Sequence, residues 1–244
     1  MSAVPGTPFR QRLETYLGDE SVYVEPKEMT KALATLLEGA AMGAGSLIDV
    51  GCATGEMLHY FRRRFPALEL TGIDTSEPFL AQARTVRGLA GVRFVRDDAL
   101  TFSYRDYQPE PFDVVVCSGI LSIFDDPAPL LTNLVANARR GGRVYVLSMF
   151  NEDDIDVLVR YRDNRHAPDE WKPGHNVHAT ASLERLLRGR VAGVRFHDFE
   201  MPFDLPRRAD YPHRTWTVRG ADGRRMVVNG LCLLNHEKIM EITP

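Results

Sequence analysis

The residues most indicative of a binding site lie where an apolar run meets a glycine-rich turn. Residues 47–56 read Leu-Ile-Asp-Val-Gly-Cys-Ala-Thr-Gly-Glu, and a helical pattern begins at Glu56. The glycines Gly51 and Gly55 predict a turn where a ligand can approach bare backbone at a helix N-terminus. The carboxylate of Asp49 precedes the first glycine by two positions. This G-x-x-x-G spacing differs from the G-x-G-x-x-G fingerprint of dinucleotide sites.

Short apolar runs alternate with helical patterns around this turn. The runs are rich in valine, isoleucine and leucine, which is typical of strands covered on both faces. They span 46–50, 68–73, 92–95, 112–117 and 143–148. Helical spacing lies between them at 56–65, 77–87 and 127–139, and before them at 8–17 and 27–42. This alternation implies a parallel sheet with right-handed crossovers.

The pattern changes after residue 150. A polar stretch over 151–180 leads to a predicted helix at 181–189 and a weakly alternating strand at 194–201. Two β-rich runs, 214–219 and 225–228, flank Gly-Ala-Asp-Gly and predict a hairpin. Residues 231–242 predict one final strand. The run Arg139-Arg140-Gly141-Gly142 predicts the end of the third helix of the sheet region, with basic residues near its last carbonyls.

The composition indicates an ordinary globular protein. The chain has 244 residues, 44% hydrophobic and 26% charged, with a net charge of −3 and a pI near 6.2. Nucleic-acid binders usually carry a basic excess, so no nucleic-acid partner is expected. No apolar run is long enough to span a bilayer, and the N-terminus lacks the pattern of a signal peptide. Three widely spaced cysteines argue against a disulfide framework and a four-cysteine zinc site. We therefore expect a cytoplasmic protein without membrane contact or metal.

Five segments together resemble the Rossmann-like (class I) S-adenosylmethionine-dependent methyltransferases. The first is the D-x-G-x-x-x-G loop at 49–55. The others are Gly72-Ile73-Asp74-Thr75-Ser76, Phe94-Val95-Arg96-Asp97-Asp98-Ala99, the run at 112–119, and Gly141-Gly142-Arg143-Val144. All but the last follow the carboxyl ends of consecutive predicted strands, where open α/β sheets bind ligands. The resemblance covers residues 44–150 well and fades over the last third of the chain.

The resemblance implies a fold class and a cofactor. The fold is α/β: a doubly wound, mostly parallel seven-stranded sheet with an antiparallel C-terminal strand, N-terminal helices and an added β-hairpin cap. We expect one domain over residues 1–244, with a cofactor-binding core at 44–150 and substrate-side cap elements at 1–43 and 151–230. The cofactor is S-adenosyl-L-methionine, which becomes S-adenosyl-L-homocysteine.

The expected cofactor site lies at the carboxyl ends of the strands. Asp74, 23 residues after Gly51, is expected to accept hydrogen bonds from both ribose hydroxyls. The resemblance assigns the adenine amine to Asp98, with Asp97 as the alternative. Asp49 either contacts the cofactor's ammonium group or orients the loop. The full set is Asp49, Gly51, Cys52, Ala53, Gly55, Asp74, Thr75, Asp98, Ala99, Ser118 and Gly119, the last two meeting the methionine moiety through their backbone.

The acceptor site is expected among aromatic and basic residues outside the core. Aromatic side chains there exclude water and attract a cation or a sulfonium group. The candidates are Tyr23, Phe150, Tyr161, Trp171, Arg214 and Trp216. Tyr16 belongs to the same N-terminal region.

No residue is firmly assigned to catalysis. His175 and His178 are weak candidates for a general base, and solvated loop residues are the alternative. Many members of the family place a histidine after the fourth strand, but residues 120–123 read Ile-Leu-Ser-Ile here. Cys52 and Cys117 adjoin the expected pocket but have no basic neighbour in sequence, which a catalytic thiolate requires.

The predicted function is methyl transfer to an oxygen or nitrogen of a small-molecule metabolite. Two alternatives stay open: a methyltransferase acting on RNA or protein, and an inactive cofactor-binding or scaffold protein. A nicotinamide-dependent oxidoreductase shares the fold class, but the G-x-x-x-G loop and the C-terminal hairpin disfavour it. The chain is expected to be a monomer or a homodimer.

Overall fold

The fold is an α/β arrangement around one mostly parallel sheet. A computed structural model describes residues 21–40, 42–164, 169–208 and 214–244. The helix expected at 8–17, and Tyr16 within it, lie outside the described residues. Among the residues that are described, no helix combines the length and apolarity needed to cross a membrane.

The parallel strands and the helices between them follow the predicted order, and the structure adds a short helix at Ser21–Val24 and short strands at Arg160–Tyr161, Lys172–Pro173 and His178–Ala179. The helices are α1 (Ser21–Val24), α2 (Glu28–Gly39), α3 (Glu56–Arg64), α4 (Glu77–Thr85), α5 (Ala128–Ala136) and α6 (Thr180–Leu187). The strands of the main sheet are β1 (Ala44–Val50), β2 (Ala67–Asp74), β3 (Arg93–Arg96), β4 (Phe112–Ser118), β5 (Ala138–Asn151), β8 (His178–Ala179), β9 (Gly193–Asp198) and β13 (Glu237–Thr243). The smaller sheets contain β6 (Arg160–Tyr161), β7 (Lys172–Pro173), β10 (Trp216–Arg219), β11 (Arg225–Val228) and β12 (Leu234–Asn235).

The main sheet has the order β3-β2-β1-β4-β5-β13-β9, and β8 pairs with the end of β5 as an eighth strand. Strands β1 to β5 run parallel to one another, while β13 runs antiparallel to both β5 and β9. The predicted seven-stranded path and its antiparallel C-terminal strand are therefore confirmed, as is the hairpin of β10 and β11. The carboxyl ends of β1, β2, β3 and β4 share one edge, where the predicted cofactor residues lie.

Two apolar layers cover the sheet because successive side chains of a strand point to opposite faces. On β1, Leu47 packs in the layer that includes α2, α3 and α4, whereas Ile48 packs in the layer that includes α5 and α6. We call these the α3 face and the α5 face. Phe61 on the first and Leu131 on the second are completely buried. Burial of one such side chain stabilises the fold by roughly 1.5–3 kcal/mol.

Helix α5 ends at Ala136, three residues before the predicted end at 139. Asn137 ends it: its side-chain oxygen accepts a hydrogen bond from the Tyr104 backbone N–H at 2.6 Å, and its carbonyl accepts one from Phe112 N–H at 2.9 Å. The next residues therefore join β5, through a bulge opposite β4. Arg139 pairs with Asp113 of β4 instead of the helix carbonyls.

The predicted final strand at 231–242 divides at His236. Before it, Leu234 and Asn235 pair with β11 of the hairpin sheet. After it, Glu237 begins β13 and pairs with Met149 of β5. The His236 carbonyl accepts a hydrogen bond from Phe150 N–H at 2.9 Å. The chain thus passes from the small sheet to the main one within a single nearly extended segment.

Candidate functional site

The turn after β1 needs two left-handed glycines. Gly51 has φ +79° and Gly55 has φ +81°, a region that strains any residue with a Cβ. A Cβ on Gly55 would also lie 3.0 Å from side-chain carbons of Leu89 and Phe94. The turn is tied to β2, because the N–H groups of Gly51 and of the next residue both donate to the Ile73 carbonyl, at 2.8 and 2.9 Å. The turn delivers the chain to the start of α3.

Asp74 holds the end of β2 to this turn. Its Oδ2 accepts a hydrogen bond from Ala53 N–H at 2.9 Å, and its Oδ1 accepts one from Ser76 N–H at 2.8 Å. Burial raises the pKa of the Asp74 carboxyl, and these backbone donors oppose the rise. An ionised carboxylate has about four acceptor sites, so both oxygens can accept further hydrogen bonds.

The two aspartates after β3 have different surroundings. Asp97 accepts from the Tyr107 hydroxyl on one oxygen and from Asp98 N–H at 2.7 Å on the other. Burial and the hydrogen bond to Asp97 raise the pKa of Tyr107 above its usual range, so the hydroxyl keeps its proton. Asp98 accepts from Leu100 N–H through one oxygen, at 2.9 Å. Its other oxygen has no hydrogen-bond partner in the described part of the chain, which leaves it open to a ligand.

Asp49 is a buried carboxyl group at the floor of the site. Its side chain is 3% exposed, and its Oδ1 has no hydrogen-bond partner among the described residues. Burial, reinforced by the charges of Glu56 and Asp74 and opposed by Lys27, raises the pKa of Asp49 to about 7. Glu56 forms an ion pair with Lys27 through Oε1, while its Oε2 is buried and also without a partner in that part of the chain. Two carboxylate oxygens are therefore available to a cationic group.

The end of β4 forms the other side of the site. Gly119 has φ +74°, and its N–H donates to the Leu147 carbonyl at 2.9 Å, which fixes it next to β5. The following residues form an apolar lip: Ile120 lies against Gly51, and Ile123 and Phe124 continue the wall. These side chains cover the site from above the sheet edge.

Together these groups enclose a cleft of about 500 Å³ at the carboxyl edge of the sheet. This volume lies in the usual range for sites that bind small molecules. Ten of the eleven residues expected to bind the cofactor line it, and Gly55 supports the turn from behind. The lining residues are Lys27, Asp49, Gly51, Cys52, Ala53, Glu56, Met57, Ile73, Asp74, Thr75, Phe79, Asp97, Asp98, Ala99, Leu100, Ser118, Gly119, Ile120, Ile123 and Phe124.

Two of the three free cysteines are buried near the cleft. Cys52 lines it, and Cys117 lies one residue before Ser118. Burial and the charge of Asp49 raise the pKa of both thiols above their usual range. Neither is therefore an activated thiolate at neutral pH.

The six side chains expected to bind the acceptor are described, and none of them lines the cleft. Tyr23 contacts the glycine turn instead: its hydroxyl donates to the Thr54 carbonyl at 2.8 Å, which supports that turn. For Phe150 the expectation is corrected. It is completely buried and packs edge-on against Phe196 at 5.2 Å, because it points to the α5 face whereas Asp49 and Ser118 point to the α3 face.

The remaining acceptor candidates lie on the two small sheets or next to their strands. Tyr161 of β6 packs against the His175 ring, and Trp171 is 61% exposed beneath the Arg162 guanidinium. Trp216 of β10 is half-buried under the guanidinium of Arg207, and Arg214 is exposed. The roles of these four side chains stay predictions.

The segment that carries His175 and His178 is fastened to the cleft wall. His178 is buried, and its Nε2 lies 3.1 Å from the Phe124 carbonyl oxygen. The completely buried Asn176 donates through Nδ2 to the same carbonyl at 3.0 Å and to Asp125 at 2.9 Å, and accepts from Val159 N–H at 2.8 Å. This segment therefore supports the lip from behind, and neither histidine reaches into the cleft.

Sequence reasoning missed several lining residues. Glu56 carried a signal, since it directly follows the second glycine at a helix start. Lys27 and Phe124 carried none, because helix α2 and the segment after β4 reach the cleft only through tertiary packing. The remaining additions are Met57, Ile73, Phe79, Leu100, Ile120 and Ile123.

Comparison with known proteins agrees with this geometry. The sequence profile of a family described as a methyltransferase domain matches residues 48–144. A ubiquinone biosynthesis O-methyltransferase from Aeromonas salmonicida is 30% identical over 187 residues, which cover 72% of this chain and 77% of that protein. The chain belongs to the class I S-adenosylmethionine-dependent methyltransferases. Its match to the family profile runs from within β1 to the middle of β5 and includes every lining residue of the cleft except Lys27.

Other similar proteins match this methyltransferase over a shorter stretch of sequence or at lower identity. A phosphatidylethanolamine N-methyltransferase from Cereibacter sphaeroides is 32% identical over 113 residues, which are 45% of this chain and 53% of that protein. The chain thus spans about half the length of that relative. The solved structure of the plantazolicin methyltransferase BpumL in complex with SAH aligns with 98% of this chain and 91% of its own, at 18% identity and a TM-score of 0.58. That likeness concerns the fold.

Proposed function

We propose that this methyltransferase transfers a methyl group from S-adenosylmethionine to an oxygen or nitrogen of a small molecule. The observation that carries the proposal is the convergence of the predicted cofactor residues on one cleft at the carboxyl edge of the sheet. When bound, the cofactor supplies a methyl group on a positively charged sulfur, already activated for in-line displacement. The chain's own residues then need to bind, orient and exclude water.

The polar groups of the cleft suit the parts of this cofactor. The free acceptor sites of Asp74 suit a pair of ribose hydroxyls. Asp98 suits the adenine amine better than Asp97, because one oxygen of Asp98 has no hydrogen-bond partner among the described residues, whereas each oxygen of Asp97 already accepts one. The unpartnered oxygens of Asp49 and Glu56 suit the ammonium group of the methionine moiety. An orphaned buried carboxylate is costly, and a cationic ligand removes that cost.

The catalytic contribution of the chain is mainly positional. The backbone at Ser118 and Gly119 is expected to hold the methionine moiety, and the apolar lip excludes water from the reacting atoms. Correct alignment of nucleophile and methyl group can contribute about 7–11 kcal/mol to lowering a barrier. A general base is needed only where the acceptor holds its proton at the working pH. We assign no such role to His175 or His178, since both lie outside the cleft.

A small acceptor fits the size and charge of the site. Five carboxylate side chains line the cleft and one lysine, which is ion-paired to Glu56. Such a surface repels the phosphates of RNA. A small molecule also agrees with the name of the Aeromonas relative, a ubiquinone biosynthesis O-methyltransferase, whereas the N- and O-methyltransferase names of the two relatives leave the methylated atom open. The one-domain division into a core at 44–150 and flanking cap elements belongs to this proposal.

Titration calorimetry with S-adenosylhomocysteine and with NAD tests the cofactor. We expect binding of the first and none of the second. Asp74→Ala is expected to weaken S-adenosylhomocysteine binding at least about 100-fold, since two hydrogen bonds to a charged group are lost. The matched control is Asp169→Ala, which removes an exposed carboxylate that forms no hydrogen bond or ion pair with the described residues. Unchanged affinity in Asp74→Ala, with the fold intact by circular dichroism, contradicts the assignment.

Turnover is tested by release of S-adenosylhomocysteine in the presence of small metabolites and, separately, of RNA or protein. We expect release with small molecules only. Activity on RNA that falls steeply with salt would favour the nucleic-acid alternative. Tight cofactor binding without turnover on any acceptor would favour a scaffold.

A further inference from the structure

The segment where the chain passes from the hairpin sheet to the main sheet carries two polar side chains that the cofactor site does not use. They are Asn235, at the end of β12, and Glu237, at the start of β13. Burial alternates along this segment: Leu234 and His236 are exposed, Asn235 is buried and Glu237 is half-buried. Because side chains alternate along an extended chain, Asn235 and Glu237 leave it on the same side.

The strand register sets Glu237 on the same face as the cofactor site. Glu237 pairs with Met149 of β5, and two residues further on Ile239 pairs with Leu147, which pairs with Ser118 of β4. Ile239 and Leu147 belong to the α3 face, so Glu237 and Ser118 project from that face too. Since β13 is antiparallel to β5, its first residue lies at the carboxyl edge of the sheet, beside the cleft.

The separation between Glu237 and the end of β4 leaves room for a ligand. Strand β13 lies two strands from β4, and neighbouring strands are about 4.8 Å apart, so Ile239 lies about 10 Å across the sheet from Ser118. Glu237 is two residues further along β13, which makes its separation from the end of β4 about 12 Å. Glu237 does not itself line the cofactor cleft. It lies beyond the end of β4, where the transferred methyl group is expected.

Both polar side chains lack partners in the described part of the chain. Asn235 is 5% exposed, and neither its amide nitrogen nor its amide oxygen has a hydrogen-bond partner there. The carboxylate of Glu237 forms no ion pair or hydrogen bond with the residues described, and burial alone raises its pKa. A buried amide is normally satisfied, so the unpartnered Asn235 beside the half-buried carboxylate of Glu237 indicates a place for a ligand at this sheet edge.

The charge of the surroundings selects the kind of ligand. The neighbouring cleft carries the carboxylates of Asp49, Asp74 and Asp98, and its one lysine is ion-paired. A further carboxylate at Glu237 extends this negative surface toward the acceptor side. A cationic or neutral acceptor is favoured there and an anionic one is opposed.

We propose that Glu237 and Asn235 form the acceptor-binding site, and that the acceptor is a small molecule whose ammonium group is anchored by Glu237. This inference rests on the proposed function. The anchored ammonium group lies at the β13 end of the acceptor, and the methylated atom lies at the other end, toward Ser118 and Gly119. Asn235 supplies one donor and one acceptor to a second polar group of the same molecule.

The test uses three sets of compounds that share a skeleton and differ only in the terminal group. They are tyramine, tyrosol and 4-hydroxyphenylacetate; histamine, imidazole-ethanol and imidazole-acetate; and tryptamine, tryptophol and indole-acetate. Binding to the protein saturated with S-adenosylhomocysteine is measured by calorimetry. We expect amines to bind at least about tenfold more tightly than the matching alcohols, as a hydrogen bond to a charged group allows, and carboxylates to bind most weakly.

Glu237→Gln is expected to reduce the preference for amines over alcohols to within about threefold, with S-adenosylhomocysteine affinity unchanged. Glu184→Gln, on the exposed side of α6, is the matched control and is expected to keep the wild-type preference. Carboxylates that bind as well as amines, no binding by any amine, or an unchanged preference in Glu237→Gln would each overturn the proposal. The wild-type comparison stands alone if Glu237→Gln does not fold. Failure of S-adenosylhomocysteine binding itself would refute the proposed function instead.

Discussion

The buried carboxyl group of Asp49 makes the affinity for the cofactor depend on pH. With its pKa at about 7, the group is about one-tenth ionised at pH 6 and about nine-tenths ionised at pH 8. Only the ionised form attracts an ammonium group strongly. The dissociation constant for S-adenosylhomocysteine is therefore expected to be about tenfold higher at pH 6 than at pH 8, with a proton released on binding at pH 6. Asp49→Asn is expected to remove most of this pH dependence and to weaken binding at pH 8.

The same group affects stability without the cofactor, in the opposite direction. The pKa of Asp49 in the folded protein lies above its ordinary value of 3.8, so folding favours the protonated form. Its contribution to stability is complete below about pH 4 and is lost as the pH rises through 7. At about 1.4 kcal/mol per pKa unit, the loss is about 4 kcal/mol. Asp49→Asn is therefore expected to stabilise the cofactor-free protein at pH 8 by up to about 4 kcal/mol, and to change little at pH 4.

Calorimetry in two buffers of different ionisation heat measures the proton release, and urea unfolding at pH 4, 6 and 8 measures the stability. Asp169→Asn, at an exposed position, is the control for a change of one surface charge. The raised pKa values of Asp74 and Glu237 change stability with pH in the same direction, but both groups remain in Asp49→Asn. The difference in stability between wild type and Asp49→Asn therefore isolates the contribution of Asp49. Equal pH dependence of affinity in wild type and Asp49→Asn would refute the reasoning, as would a variant that is less stable at pH 8.

Two further substitutions test the turn and the lip. Gly55→Ala combines backbone strain with close contacts, so it is expected to lower the free energy of unfolding, measured in urea, by about 2–4 kcal/mol. The control Gly189→Ala has φ +71° but open space around it, so it is expected to lower that free energy by only about 1–2 kcal/mol. Equal losses in the two variants would show that packing behind the turn is unimportant. Asn176→Ala removes three side-chain hydrogen bonds and leaves the Val159 N–H without its acceptor. It is expected to cost about 2–4 kcal/mol and to raise the acceptor KM more than the cofactor Kd. Steady-state kinetics beside the exposed Asn164→Ala check this, and an unchanged acceptor KM would contradict a role for the segment in shaping the lip.

The parallel core was predictable because each of its signals is local. Apolar runs of four to six residues predict buried strands. Gly51 and Gly55 indicate a turn with left-handed backbone, which glycine adopts most easily. The order of strands and helices then sets the edge at which Asp74 and Asp98 meet. For this reason the cofactor-side residues could be selected from the sequence, and the structure brings them to one cleft.

The acceptor side was less predictable because its arrangement depends on tertiary packing. Phe150 is apolar and close in sequence to the cleft, but the two-residue period of β5 turns it to the opposite face. His178 appears in sequence as a polar loop residue, yet it is buried behind Phe124. Glu237 lies within a predicted strand, and no local signal marks it as a site residue, since its face and its lack of partners depend on the register with β5.

The predicted ends of helices and strands are wrong where side-chain hydrogen bonds compete with helix propensity. The third helix of the sheet region was extended through Arg139 because basic residues and glycines often end helices. Asn137 instead ends it by bonding to the loop after β3, and Arg139 pairs with Asp113. The break at His236 was also unpredictable from local signals. The residues on both sides of it favour a strand, and only their pairing with two different sheets divides the run.

The position of Cys52 has a consequence for the protein's own durability. Cys52 lines a cleft suited to a reactive methylating agent, where a thiolate would compete with the intended acceptor. Burial and the neighbouring carboxylates keep the thiol protonated at neutral pH, and a protonated thiol is a poor nucleophile. The wall is thereby protected from self-methylation by the same negative charges that favour a sulfonium ligand.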